Sequence, residues 1–208
     1  VLDPARRMKR LEPKLWFLAT ALIVAGLGAA FYLPAWRRTP GHFPVPLDDV
    51  YIHFGFARAA ALGHPFQWIP GNGYSSGGTS LTYPLLLAPA WLLGLRGERL
   101  MAAAVLLALG SLVDLAASLR RLLRAAPRWL SWAAAPLILS VPLLDWSLFS
   151  GMETALFAAL LGRALVALDR AASAPPERRA GVQLRLGLLA ALLVATRPEA
   201  APFALLLG

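Results

Sequence analysis

The chain alternates long apolar runs with short polar intervals, most of them basic. Several runs approach the ~20 residues that a helix needs to cross a bilayer. The first covers residues 14–36, with Trp16, Tyr32 and Trp36 as interfacial anchors and Arg37-Arg38 behind it. Later runs predict helices over 98–119, 129–144, 152–169 and 183–196, and the start of another near residue 200. The run over 79–95 is apolar but carries Pro84 and Pro89 and barely reaches spanning length. Residues 39–78 read as a long loop. Inside it Val50, Phe54, Ala57 and Ala61 recur at helical spacing behind Asp48, an N-cap residue type. That pattern predicts a short helix to about residue 62, ended by Gly63-His64-Pro65. It is too short to span, so it is expected to lie along the membrane face. Residues 70–78 are turn-rich.

Composition narrows the class. Of 208 residues, 58% are hydrophobic, which excludes an ordinary soluble domain. There is no cysteine, so disulfide, zinc-thiolate and cysteine-nucleophile chemistry are excluded. A net charge of +9 would suit nucleic acid, but the basic residues sit in short clusters between apolar runs, the pattern of cytoplasmic loops. No nucleic-acid partner is expected; the lipid bilayer is. The first run is too long, and lacks a small-residue cleavage site, to be a signal peptide. The chain stops within an apolar run at Gly208, which predicts a further C-terminal portion.

Charge also sets the topology. If 79–95 crosses, then Arg120, Arg121, Arg124, Arg128, Arg170, Arg178, Arg179 and Arg185 fall outside. If it enters and returns, or lies in the outer interface, all eight join the N-terminal cluster, and with Arg163 snorkelling inward 14 of the 20 Lys and Arg are cytoplasmic. The second arrangement is expected. The predicted fold is an all-α polytopic membrane helix bundle whose first outer loop carries a juxtamembrane helix. Residues 1–13 form a cytoplasmic basic tail and 14–208 the transmembrane domain.

This topology, drawn from basic residues alone, collects Asp48, Asp49, Glu98, Asp145, Glu153 and Glu199 on the outer side, with Arg58 and Arg197. Adjacent carboxylates hold a divalent cation or supply a general base. Arginines suit a phosphate. Each residue also has a plainer reading. Asp48 is an N-cap; Asp49 and His53 form an i, i+4 pair; Glu153 complements a helix dipole; Arg197 anchors at the interface; Arg58 and Arg163 snorkel. Asp114 is expected to pair with Arg120 or Arg121.

Asp48-Asp49-Val50-Tyr51-Ile52-His53-Phe54 with Ala57-Arg58, Pro70-Gly71 and Gly78-Thr79-Ser80 resembles the first outer loop of GT-C-fold membrane glycosyltransferases. The likeness is to the branch of the mycobacterial terminal arabinofuranosyltransferases. Ser150-Gly151-Met152-Glu153-Thr154-Ala155-Leu156-Phe157 and Thr196-Arg197-Pro198-Glu199-Ala200 resemble that branch's second and third blocks. The resemblance covers roughly residues 14–208, with departures at Gly55 and Ala59. It implies transfer of a sugar from a polyprenyl-phosphate donor to a glycan or lipid acceptor of the cell envelope. The setting implied is a multi-pass protein of the bacterial inner membrane, N-terminus cytoplasmic and active face periplasmic or extracellular. Asp48, Asp49 and Glu153 are then the catalytic candidates, and Arg58 and Arg197 the donor-phosphate candidates. Tyr51, His53, Thr79, Ser80 and Glu199 are further substrate-site candidates. The one cofactor in view is a divalent cation such as Mg or Mn, held by Asp48 and Asp49 if one is used. A lipid or solute transporter and a non-catalytic assembly subunit are the alternatives.

Overall fold

The computed structural model describes residues 4–207, with side chains from Leu11 onward. Residues 1–3, Gly208 and the basic side chains of Arg6, Arg7, Lys9 and Arg10 lie outside that description, so much of the expected basic tail does too. Among the described residues all regular structure is helical: α1 (Pro4–Arg38), α2 (Val50–Ala61), α3 (Thr82–Leu92), α4 (Leu100–Leu122), α5 (Arg128–Leu139), α6 (Pro142–Phe149), α7 (Thr154–Ala172), α8 (Pro176–Thr196) and α9 (Ala201–Leu207).

Three helical stretches are long and apolar enough to cross a membrane: Leu11–Arg38, Gly97–Ala125 and Pro176–Thr196. The pair α5–α6 makes a fourth if a bent span is counted. This differs from the expected pattern in three places. The helix expected over 129–144 is broken, and α5 and α6 meet at 74°. Pro142 cannot donate an amide to the preceding turn, and Val141 before it is extended. Part of the expected outer loop over 145–151 is therefore helix. The helix expected over 152–169 is present as α7, but Arg163, Asp169 and Arg170 keep it out of the apolar set. The first and last long helices also run further than their apolar cores. Residues 4–13 continue α1, being mostly good helix formers, and Pro176 at the first turn starts α8 where a loop was expected.

α4 is the centre of the bundle and packs against α1, α3, α5, α6 and α7. Its contact with α7 is the most extensive, because small residues face each other there. Ala104, Ala108, Ser111 and Ser118 are buried on α4, and Ala155, Ala159 and Gly162 on α7. A Cβ on Gly162 would stand 3.0 Å from the Ser118 Cβ, so the two backbones approach as small-residue stripes allow. This closeness also settles Asp114. Its carboxylate pairs with Arg163 across α4 and α7, with Nη2 2.7 Å from Oδ1, and not with Arg120 or Arg121. Arg121 stands two turns further along the same helix, about 10 Å, beyond the reach of a short aspartate. Arg163 accordingly pairs across the bundle and does not simply snorkel.

Contacts define two ends of the bundle. At one, Glu12 of α1 meets Arg120 of α4, and Asp169 of α7 meets Arg124. At the other, His42, just after α1, meets Glu98, just before α4. α2 and α3 lie at this second end as a helical pair. α3 has eleven residues, about 16 Å of helix, roughly half the ~30 Å of a hydrocarbon core.

Candidate active site

α2 buries one face, comprising Val50, His53, Phe54, Phe56, Ala57 and Ala59. Val50, Phe54 and Ala57 are there as the helical spacing predicts. His53 is not an apolar residue, yet it is 1% exposed. Its partner comes from more than a hundred residues away. Glu153 is wholly buried in the turn before α7, and its Oε2 lies 2.9 Å from His53 Nε2. Arg197, at the end of α8, approaches the other oxygen, with Nε 3.4 Å from Oε1. Arg197 is a third exposed, so the carboxylate is enclosed by the imidazole on the protein side and reached from the surface through a guanidinium.

The turn that carries Glu153 is fixed from both sides. Tyr83 of α3 donates its hydroxyl to the Gly151 carbonyl at 2.7 Å, and Tyr32 of α1 donates to the Phe149 carbonyl. Ser150 donates to the Ser147 carbonyl at 2.8 Å. Gly151 has φ +90°, and a Cβ there would fall 2.6 Å from the Met101 methyl and 3.2 Å from Val50. Only glycine meets both the backbone and the space. The end of α8 is fixed in turn by α3. The Leu81 amide donates to the Ala195 carbonyl at 2.8 Å, and the Thr82 and Thr196 hydroxyls meet at 2.7 Å. Tyr83 also stands edge-on to the His53 ring, 5.3 Å between centroids.

The electrostatics are tense. Burial pushes the Glu153 carboxyl up. Contact with His53, its own backbone N–H and the positive charges of His53 and Arg197 outweigh that and hold it below the usual carboxylate value. Although the distances are short, neither carboxylate oxygen nor His53 Nδ1 has a well-aligned hydrogen bond among the described residues. Buried polar atoms left this way in a folded protein ask for a specific reason, of which a functional role is one.

The other expected residues are spread around this centre. Asp49 occupies the N-cap position of α2, exposed, one turn from His53 on the same helical face. It makes no side-chain cap bond, and its expected i, i+4 bond to His53 is absent because His53 turns to Glu153. Asp48, also exposed, is not the cap; its Oδ1 accepts the Asp49 amide at 3.0 Å. Asp48 lines a groove of about 530 Å³ with Phe31, Tyr32, Phe43 and Tyr51. Tyr51 borders a second groove of about 460 Å³, lined also by Arg58, Trp91 and Arg96. Arg58 thus sits with Arg96, which lies 4.6 Å over the Trp91 ring, and not with Arg197. Ser80 is buried and accepts the Tyr83 amide at 3.1 Å, a structural task at the start of α3. Thr79 is exposed beside it. Glu199 is exposed and reaches Arg197 only at 3.9 Å.

For a cation, Asp48 and Asp49 supply two carboxylates. Among the described residues no group of three or more His, Asp and Glu gathers as a cage. Two carboxylates alone make no cage, so a cation there would need most of its oxygen ligands from substrate and water. Sequence reasoning missed Tyr83, Thr82 and Arg96, and saw Thr196 only as part of the third block. Thr82 and Tyr83 lie in a run weighed only for spanning length. Arg96 lay in a connection with no pattern of its own.

No family model, curated protein or solved structure matches this chain.

Proposed function

We propose that the chain is a GT-C-type membrane glycosyltransferase. It moves a hexosyl or pentosyl unit from a polyprenyl-phosphate donor to a cell-envelope glycan or lipid acceptor on the outer side of the bacterial inner membrane. The observation that carries this reading is the meeting of three separated blocks at one end of the bundle. His53 from the first loop and Arg197 from the third block both face the buried Glu153 of the second.

The residues divide the work by exposure. The Asp49 carboxylate takes the proton of the acceptor hydroxyl. The acceptor oxygen then forms its bond to the anomeric carbon as the bond from that carbon to the phosphate oxygen breaks. The leaving polyprenyl phosphate carries the electron pair away, and its charge is met by Arg58 with Arg96. Two grooves share Tyr51, one bordered by Asp48 next to Asp49 and the other by Arg58 and Arg96, and on this reading the acceptor lies in the first and the phosphate in the second. A cation on Asp48 and Asp49, where one is used, would neutralise donor phosphate charge. Glu153 has no surface for substrate, so its part is positioning: it holds His53 and Arg197 in place. Thr79 and Glu199 are exposed near this end and contribute at most to its rim.

The test is Asp49→Asn, assayed in membrane vesicles with a radiolabelled polyprenyl-phosphate sugar. Loss of a general base lowers transfer by ~10²-fold or more. The melting temperature should hold, since the Asp49 carboxylate makes no cap bond. Transfer at the wild-type rate would remove the catalytic role and leave the non-catalytic assembly subunit ahead. The Asp114–Arg163 pair between two bundle helices is the observation that favours a transporter, since intramembrane charge marks pathways. In the same vesicles a transporter would move labelled donor intact, with no glycosidic bond broken.

A further inference from the structure

The opposite end of the bundle holds a second organised site. The start of α1 and the ends of α4 and α7 enclose an open groove of about 450 Å³. Trp16 and Phe17 supply its apolar wall, and Arg120, Arg121, Arg124 and Arg170 surround it. The protein meets only part of this charge. Glu12 is shared by Arg120 at 3.2 Å and Arg128 at 2.6 Å, and Asp169 takes Arg124 at 3.0 Å. Among the described residues no carboxylate pairs with Arg121 or Arg170. Arg120 also lies 4.7 Å over the Trp16 ring, which holds a guanidinium against the apolar wall.

Five arginines against two carboxylates repel one another unless an anion joins them. The hydrocarbon surface beside them specifies what kind of anion. Phe17 of the groove wall is more than half exposed, as are Leu18 and Leu22 on the outward face of α1, so a bare apolar strip borders the groove beyond the buried Trp16. A small hydrated ion has no use for that strip; an acyl chain does.

We propose that this groove binds an anionic glycerophospholipid. Its headgroup phosphate sits between Arg121 and Arg170, and its acyl chains lie along the exposed face of α1. The proposal stands independently of the catalytic reading, since none of these residues belongs to the Glu153 end.

The experiment titrates the protein, in neutral detergent, with phosphatidylglycerol and with phosphatidylcholine of identical chains. Bound lipid is counted by native mass spectrometry. Phosphatidylglycerol should bind at least about tenfold more tightly. Arg121→Gln with Arg170→Gln should weaken it ~30-fold, from about a fivefold loss per arginine. The unliganded melting temperature of that variant should stay put, as neither arginine holds a carboxylate. Arg178→Gln with Arg179→Gln, basic residues of the same end but outside the groove, should change binding by no more than about twofold. Equal binding of the two lipids would overturn the proposal. So would equal losses in the two double variants, which would mean diffuse attraction. Displacement of phosphatidylglycerol by equimolar inorganic phosphate or glycerol phosphate would also overturn it, in favour of a free-anion site.

Discussion

Glu153 concentrates the physics of the site in one side chain. A carboxylate this buried keeps its charge only because His53 and Arg197 face it. Glu153→Gln preserves the shape and removes the charge, so His53 and Arg197 lose the carboxylate they face. The cost should be roughly 2 kcal/mol, below that of a fully buried pair because Arg197 is partly exposed to solvent. The pH dependence has a definite sign. The folded carboxyl titrates below the 4.5 of the free side chain. Its charge therefore contributes stability in full above that value and loses it as the pH falls through the lower, folded value. Thermal melts of wild type and Glu153→Gln should differ at neutral pH, and the gap should close as the pH falls below the 4.5 of the free side chain. A gap that widened in acid would mean that burial rules and the carboxyl is protonated in the fold. The sequence pointed to Glu153 through its place in a motif and to His53 only as one candidate of several. Their pairing was illegible because nothing local distinguishes a buried histidine facing a distant acid from one bonded four residues back to Asp49.

Elements were legible where one rule governed them. α2 follows from the spacing of Val50, Phe54 and Ala57 and stops at Gly63, as expected. The α5–α6 break was not legible as a bend, because the run over 129–144 is apolar on both sides of Pro142 and hydropathy carries no angle. The starts of α1 and α8 were missed because helix propensity, joined in α1 by the Glu12 ion pairs, does not require apolar residues as lipid does. The turn between α6 and α7 is the element on which the site depends, and Gly151 is its fixed point. Gly151→Ala would put a Cβ at positive φ against Met101 and Val50. The left-handed backbone costs about 1–2 kcal/mol and the overpacking about 1–3 kcal/mol. The melting temperature should fall by at least about 5 °C, and transfer should fall with it as Glu153 shifts. Gly55→Ala is the matched control, since a Cβ there meets nothing within 4 Å and a helical interior gains from it. If Gly151→Ala melted like Gly55→Ala, the turn would have room to relax and would not fix the acid.

At the scale of the molecule, charge and placement agree. The end that holds Glu153 takes six basic residues, Arg37, Arg38, Arg58, Arg96, Arg99 and Arg197, and six acidic ones, which cancel. The remaining fourteen basic and five acidic residues of the sequence carry the whole net charge of +9, and those that the structure describes lie toward the other end. The positive-inside rule then predicts the basic end at the cytoplasmic face and the Glu153 end at the outer one, which labelling can test. The short α3 matters here, because a crossing at that point would invert everything after it. The chain has no cysteine, so single cysteines report position without background. Ser76, Ala125, Ser173 and Glu199 are all exposed and lie before α3, after α4, after α7 and after α8. An impermeant thiol reagent applied to intact cells should label cysteines at 76 and 199 and spare those at 125 and 173. Were α3 a span, 76 would still be labelled, but 125 and 173 would join it and 199 would be protected. That outcome would put Arg197 and Glu153 across the membrane from Asp49. His53, one turn from Asp49 and 2.9 Å from Glu153, leaves no room for such a separation. Labelling therefore tests the fold and the candidate site together: one site at one face requires 76 and 199 to react alike.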